Sequence, residues 1–208
     1  MIKNVVLDIG NVMVTWYPDL HIANFTDRKG EIDFYNRICF QSPQWKAGDL
    51  GQMTRQESID AICKKYPKDE KMIRAIMKNC DEILRASPEN TALLKTLHEA
   101  GIGVYYLSNT NPSAFAYMHE THAFFRYMDG GIASFQEGVL KPGPEIFSRF
   151  LERYNKAPDE CVFVDDTPQN TEAAAAAGFA TVLLKNIGDL KAELCQFPEL
   201  ADILTKEA

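Results

Sequence analysis

Asp8, the neighbours Ser108 and Asn109, Lys141, and the adjacent pair Asp165 and Asp166 are the side chains of this sequence whose types suit one chemistry. Asp8 follows the apolar run Val5-Val6-Leu7 and precedes Gly10-Asn11, so its carboxylate projects from a strand end beside the amides of a glycine-containing turn. That position suits a nucleophile that attacks phosphorus and forms a covalent intermediate. An isolated aspartate there could equally end the strand as an Asx-turn acceptor. Asp165 and Asp166 repel each other unless a cation or a proton joins them, and Mg²⁺ is the natural cation because it takes hard oxygen ligands and bridges to phosphate. Their alternative is to cap the helix that follows, a duty Asp166, Thr167 or Asn170 could take. Ser108 closes another apolar run, where a hydroxyl and the following amides can hold a phosphoryl oxygen or simply end the strand. Lys141 lies in the loop Gly138-Val-Leu-Lys-Pro-Gly-Pro, where an ammonium could neutralise phosphate, although a surface lysine is usually solvated. Each group alone favours its plainer explanation; four compatible groups after successive strand-like segments reverse that balance.

These residues need a scaffold that brings strand ends together. Val5 to Leu7, Val104 to Leu107, Cys161 to Val164 and Thr181 to Leu184 are short aliphatic, β-branched runs of the kind buried in parallel sheets. Helical patterns lie between them, over Pro88 to Glu99, Pro144 to Tyr154 and Thr171 to Ala177. The alternation predicts an α/β fold with a doubly wound parallel sheet, whose ligand site lies at the carboxyl ends of the strands. From about Asp19 to Arg85 the alternation stops, and helical periodicity broken at Ser42-Pro43, Gly48, Gly51 and Pro67 predicts a small bundle of three or four helices inserted after the first strand. The expected division is a core of residues 1–17 and 86–208 with a helical cap of residues 18–85.

Composition narrows the partners. The hydrophobic share is 46% and the charged share 25%, which excludes a disordered chain. The net charge of -7 without a basic cluster disfavours nucleic acid and anionic membrane surfaces. The five cysteines show neither a CxxC pair nor zinc-ligand spacing and are expected to be reduced, mostly buried thiols. With no signal peptide and no apolar stretch of membrane-spanning length, the expected location is cytoplasmic, and the expected state is a monomer or homodimer. His98, His119 and His122 show no partner pattern and carry no catalytic assignment; Phe124, Phe125 and Tyr127 are expected to pack beneath the sheet edge.

Four segments, in order, resemble the haloacid dehalogenase (HAD) superfamily of hydrolases: VVLDIGNV at 5 to 12, YYLSNT at 105 to 110, LKPGPEIF at 140 to 147 and VFVDDTPQNTEAAAAAGF at 162 to 179. The likeness covers nearly the whole chain, and the inserted helices resemble the cap of the subfamily that includes bacterial sugar phosphatases, the phosphatase domain of soluble epoxide hydrolase and the haloacid dehalogenases. Response-regulator receivers use similar residue types, but their acidic pair comes first. The resemblance implies a HAD-like Rossmannoid core and a Mg²⁺-dependent phosphatase acting on a small phosphorylated metabolite. Asp8 would be the nucleophile and would also bind metal. Asp166 and the Gly10 carbonyl would complete the protein ligands, with Asp165 as a ligand through water or an acceptor one shell out. Ser108, Asn109 and Lys141 would hold the transferring phosphoryl group, and Pro142 to Phe147 would position Lys141.

Gly10 departs from the common phosphatase form of the first motif, which has a second aspartate there to protonate the leaving alcohol and later activate water. A hexose 1-phosphate is the substrate expectation that follows, because its hemiacetal leaving group is more acidic than an ordinary alcohol. A substitute acid could come from the cap or from the segment leading into it, where Asp19 and His21 lie. Residues from Ser42 to Asp49 are expected to overhang the site; Trp45 there could stack on a sugar face, although a plug between cap and core is the favoured role. A metal-independent 2-haloacid dehalogenase and a catalytically weak phosphate-binding regulator are the alternatives; the adjacent Asp165 and Asp166 argue for a cation and against the first.

Overall fold

A computed structural model describes residues 1–205 of the chain. Its centre is a five-stranded, all-parallel sheet in the order β3-β2-β1-β4-β5. The strands are β1 (Asn4–Leu7), β2 (Gly103–Ser108), β3 (Gly130–Ala133), β4 (Cys161–Asp165) and β5 (Ala180–Leu183). β1 lies in the middle, so Asp8, Ser108 and Asp165 emerge from three adjacent strands at the same edge. That edge is the carboxyl edge on which open parallel sheets bind their ligands.

Five helices follow β1: α1 (Pro18–Ile22), α2 (Lys29–Tyr35), α3 (Pro43–Asp49), α4 (Arg55–Lys65) and α5 (Glu70–Lys78), with a π-helical turn at Asn36–Phe40 and a 3-10 turn at Cys80–Ile83. Their boundaries are written in the sequence. Ser42 caps α3 by accepting the Trp45 amide with Pro43 in the first turn, and Thr54 with Glu57 forms a reciprocal capping box on α4. These helices enclose an apolar cluster of their own, including Ile22, Ile38, Phe40, Ile62, Ile73, Ile76 and Met77. Two backbone bonds, from Thr15 N to Arg85 O and from Ser87 N to Met13 O (both 2.9 Å), tie the outgoing and returning chains together.

The remaining helices cover the sheet: α6 (Pro88–Glu99), α7 (Pro112–Thr121), α8 (Ser134–Glu137), α9 (Pro144–Tyr154), α10 (Pro168–Ala176), α11 (Leu190–Leu194) and α12 (Pro198–Leu204). α6 and α9 have the expected bounds. α10 begins three residues earlier than the alanine run suggests, because Pro168 has the fixed φ of a first-turn residue. β5 starts one residue earlier than its apolar run. Two apolar layers sandwich the sheet, one including Val5, Leu7, Leu94, Leu97 and Phe124, the other Val6, Phe147, Phe150 and Phe163. Phe124 is fully buried in a 3-10 turn (Ala123–Tyr127) packed against α6.

Sequence patterning misses one strand. β3 reads Gly-Gly-Ile-Ala and has no aliphatic run to reveal it. A side chain at Gly131 would collide with the Tyr106 backbone and ring, and Gly130 (φ 150°) lies against the Tyr154 hydroxyl. That hydroxyl accepts from Gly131 N (2.7 Å) and donates to Gly131 O (3.0 Å). Close approach of α9 and β2 selects glycine here, which hides the strand from propensity. All five cysteines are free and four are buried, and no helix among the described residues is long and apolar enough to cross a membrane.

Candidate active site

Asp8, Asp165 and Asp166 converge at the carboxyl edge, each offering a carboxylate oxygen within 4.8 Å of the others. Lys141, almost wholly buried, inserts its ammonium between two of them: Nζ lies 3.0 Å from Asp8 Oδ1 and 2.6 Å from Asp165 Oδ2. The charges explain one another. Burial pushes the Asp8 carboxyl up to about 7; Lys141 pulls it down while Asp165 and Asp166 push it further up. Burial pulls the Lys141 ammonium down, but Asp8 and Asp165 outweigh it and the net direction is up, so the lysine stays charged. Three carboxylates against one ammonium leave an excess of negative charge that a divalent cation would neutralise.

The remaining lone pairs show which oxygens are free. Asp165 is spent: Oδ1 accepts from Thr167 N (2.8 Å) and Asn170 Nδ2 (3.0 Å), and Oδ2 accepts from Lys141 and from Asn170 (3.1 Å). It cannot ligate directly without losing a donor, which fits a second layer around the metal. Asp8 Oδ1 accepts from Ile9 N (2.7 Å) and Lys141, whereas among the described residues no donor meets its Oδ2. No donor among them meets the Gly10 carbonyl either. Among the described residues, Asp166 accepts only from Asn11 Nδ2 (2.9 Å) and Thr167 Oγ1 (3.2 Å). One carboxylate oxygen of Asp8, the Gly10 carbonyl and Asp166 are thus a hard, all-oxygen donor set that fits Mg²⁺.

Two asparagines that sequence reasoning did not assign build this geometry. Asn11 takes the left-handed region (φ 53°), which asparagine tolerates, accepts Trp16 N (2.8 Å) and donates to Asp166. Asn170 donates to both oxygens of Asp165 rather than capping α10. Asn11→Ala is expected to weaken Mg²⁺ binding roughly 10- to 100-fold, the usual effect of losing a group that orients a ligand. Isothermal titration of the metal-free protein with Mg²⁺ checks it; unchanged affinity would show that Asp166 needs no such support.

The other sequence candidates find definite places. Ser108 is buried, and among the described residues no protein group meets its hydroxyl, which lines the cavity above Asp8. Asn109 also lines the cavity, but its amide is engaged by Lys141: Nδ2 donates to the Lys141 carbonyl and Oδ1 accepts its amide (both 2.9 Å). Its side chain therefore acts on the phosphoryl pocket by fixing the lysine loop. Trp45 stacks on Trp16 (5.7 Å between rings) across the join of cap and core, the plugging role favoured for it, and also lines the cavity. Asp19 and His21 do not reach the chemistry. His21 Nε2 lies 2.7 Å from Ile76 O and faces a separate surface hollow of about 600 Å³, larger than the cavity over Asp8, and Asp19 bonds Asn36. Neither lines the cavity that holds Asp8, so the substitute acid is not in that segment.

That cavity, about 270 Å³, is at the small end for ligand sites (roughly 300–1,000 Å³). Its floor is the carboxyl edge and its walls are apolar (Val14, Trp16, Leu84, Met118) and polar (Asp49, Thr110, Asn111).

A family model described as haloacid dehalogenase-like hydrolase matches residues 2–178. The chain belongs to that family. It is 30% identical over 207 residues to the D-ribitol-5-phosphate phosphatase of Bacteroides thetaiotaomicron, covering 93% of this chain and 97% of that protein. It is 27% identical over 176 residues to a sesquiterpene phosphatase of Aspergillus oryzae, covering 85% and 86%. The HAD family enzyme bt-2542 of B. thetaiotaomicron, solved in complex with magnesium and inorganic phosphate, superposes with a TM-score of 0.67 at 26% identity, covering 88% of this chain and 93% of that one. The HAD hydrolase fold expected from the four motifs is thus the fold of this chain.

Proposed function

We propose that this HAD hydrolase is a Mg²⁺-dependent phosphatase that cleaves a small phosphomonoester, a sugar or polyol phosphate such as a hexose 1-phosphate, through an aspartyl phosphate on Asp8. The observation that carries the reading is the convergence of Asp8, Asp165 and Asp166 around a buried Lys141, with an oxygen of Asp8 and the Gly10 carbonyl left without donors. The adjacent carboxylates of Asp165 and Asp166 favour a cation and so argue against a metal-independent dehalogenase. Bound Mg²⁺ would neutralise the carboxylates and the charge that develops on the phosphoryl oxygens.

The chain's own groups do the rest. A carboxylate oxygen of Asp8 bonds to phosphorus as the bond from phosphorus to the leaving oxygen breaks, and that oxygen takes a proton. A water oxygen then bonds to phosphorus as the bond to Asp8 breaks; the water gives up a proton and Asp8 returns as a carboxylate. Lys141, held by Asp8, Asp165 and the Asn109 amide, neutralises the phosphoryl oxygens, and Ser108 donates to one of them.

Hydroxyl-bearing substrates are favoured because Asp49, Thr110 and Asn111 offer hydrogen bonds beside the Trp16 and Trp45 rings, a combination that suits the two faces of a sugar or polyol. The ribitol-phosphate phosphatase among the relatives supports this. The apolar wall of Val14, Leu84 and Met118, with the sesquiterpene phosphatase relative, favours a second reading in which a prenyl phosphate enters. A comparison of kcat/KM for ribitol 5-phosphate, hexose 1-phosphate and a short prenyl phosphate decides between them. The sugar and polyol esters are expected to lead by on the order of tenfold or more; a prenyl phosphate in front would overturn the preference.

A further inference from the structure

We propose that Asp49, carried by the cap, is the general acid and base of the reaction and occupies the functional place that Gly10 leaves vacant. The inference rests on the phosphatase reading above and deepens it. A leaving sugar or alkyl oxygen needs a proton, and water needs a base; no side chain at position 10 can supply either. A Cβ built at Gly10 meets nothing within 4 Å, so the space an acid would fill there is open.

Elimination within the cavity points to one residue. Its titratable lining groups are Asp8, Asp49, Asp81, Lys141 and Asp166. Asp8 and Asp166 belong to the nucleophile and metal set, and Lys141 is held between carboxylates. Asp81 is committed to Arg55 Nη2 at 2.8 Å. The histidines sit elsewhere, none of them lining this cavity. Among the described residues that line the cavity, Asp49 alone is free to exchange a proton: its side chain has one long contact, from Asn111 Nδ2 to Oδ1 at 3.4 Å.

Asp49 is also held against the core by its backbone. The Ser134 hydroxyl donates to the Asp49 carbonyl (2.7 Å), and the glycines on either side permit close approach. A Cβ at Gly48 would already touch Asn111 (3.7 Å), and Gly51 (φ 71°) lies against the Phe135 backbone. So seated, α3 places Asp49 among the residues that line the cavity over Asp8. The charged group acting on Asp49 is Arg55, which is itself shared between Asp81, Asn111 and the Trp45 ring. Burial pushes the Asp49 carboxyl up to about 7 against the opposing pulls of Asn111 and Arg55. It ends α3, where the helix dipole also opposes a negative charge. A group balanced near neutrality can give a proton in the first half-reaction and take one in the second.

The test compares wild type, Asp49→Asn and the double variant Gly10→Asp/Asp49→Asn on three substrates of falling leaving-group acidity: p-nitrophenyl phosphate, hexose 1-phosphate and hexose 6-phosphate. Asp49→Asn is expected to lose about 10²- to 10⁴-fold on the 6-phosphate, less on the 1-phosphate, and to keep a stoichiometric burst of p-nitrophenol followed by slow turnover. The burst also proves the variant folded. Gly10→Asp is expected to restore hexose 6-phosphate turnover in the double variant. Equal losses on all three substrates with no burst, or full turnover of the 6-phosphate by Asp49→Asn, would overturn the assignment. A wild-type protein that releases no p-nitrophenol would instead overturn the phosphatase reading on which it rests.

Discussion

Asp8→Asn is expected to abolish phosphate release, by on the order of 10⁴- to 10⁶-fold, as removal of a covalent nucleophile does in other enzymes. The substitution changes one oxygen into an amide nitrogen at a site where Oδ1 is held by Ile9 N and Lys141 while Oδ2 has no donor. An amide keeps the shape but cannot attack phosphorus. Lys141 retains Asp165 at 2.6 Å, so the fold is not expected to suffer comparably. Purified variant assayed beside wild type with p-nitrophenyl phosphate and Mg²⁺ checks this. A loss of less than about tenfold would mean that another group attacks phosphorus.

Lys141→Met is expected to damage both activity and stability. Among the described residues its ammonium is the one cation between the part-buried Asp8 and the fully buried Asp165, and methionine fills the space without the charge. Removing one partner of a buried ion pair typically costs about 3–5 kcal/mol, because the remaining charge is left uncompensated. Activity should fall by about 10²- to 10³-fold, the usual effect of removing a group that stabilises transition-state charge. The stability loss has a pH signature. Burial already raises the folded Asp8 carboxyl to about 7 while Lys141 pulls it down, so without the lysine it rises further; its contribution is intact at low pH and is lost as pH rises through the folded value. Urea unfolding of metal-free wild type and variant at pH 5 and pH 8 should therefore show the larger gap at pH 8. A gap that is equal at both pH values would contradict the burial of those charges.

Much of this arrangement is legible in the sequence, for identifiable reasons. β1, β2, β4 and β5 appear as aliphatic runs because a strand covered on both faces has no polar alternation, and the residue after each run then marks the carboxyl edge. Asp8, Ser108, Asp165 and Asp166 follow directly, whereas Lys141 is found from its loop, Gly138 to Pro144, and not from a strand end. β3 escapes because the contacts of Tyr106 and Tyr154 demand glycine at its start. Asn11 and Asn170 escape as builders of the site because their roles depend on partners 155 residues away and on a five-residue turn geometry. Asn109 is found by position, yet its side chain serves the Lys141 loop, a duty visible only once the loop is packed beside β2. The cap is hardest to read: Ser42 to Asp49 is recognisable as the overhanging segment, but which of its side chains enters the cavity depends on how Gly48 and Gly51 let α3 settle on the core. His21, nearer in sequence to the first motif, faces another hollow, and Asp19 is bonded to Asn36.

The most direct measurement is the mass of the protein trapped by acid during turnover of p-nitrophenyl phosphate with Mg²⁺. A phosphoryl group on the peptide that contains Asp8, absent with EDTA and absent in Asp8→Asn, is the expected result. Steady Mg²⁺-dependent release of phosphate with no phosphoryl group on that peptide, and with Asp8→Asn as fast as wild type, would contradict catalysis through Asp8.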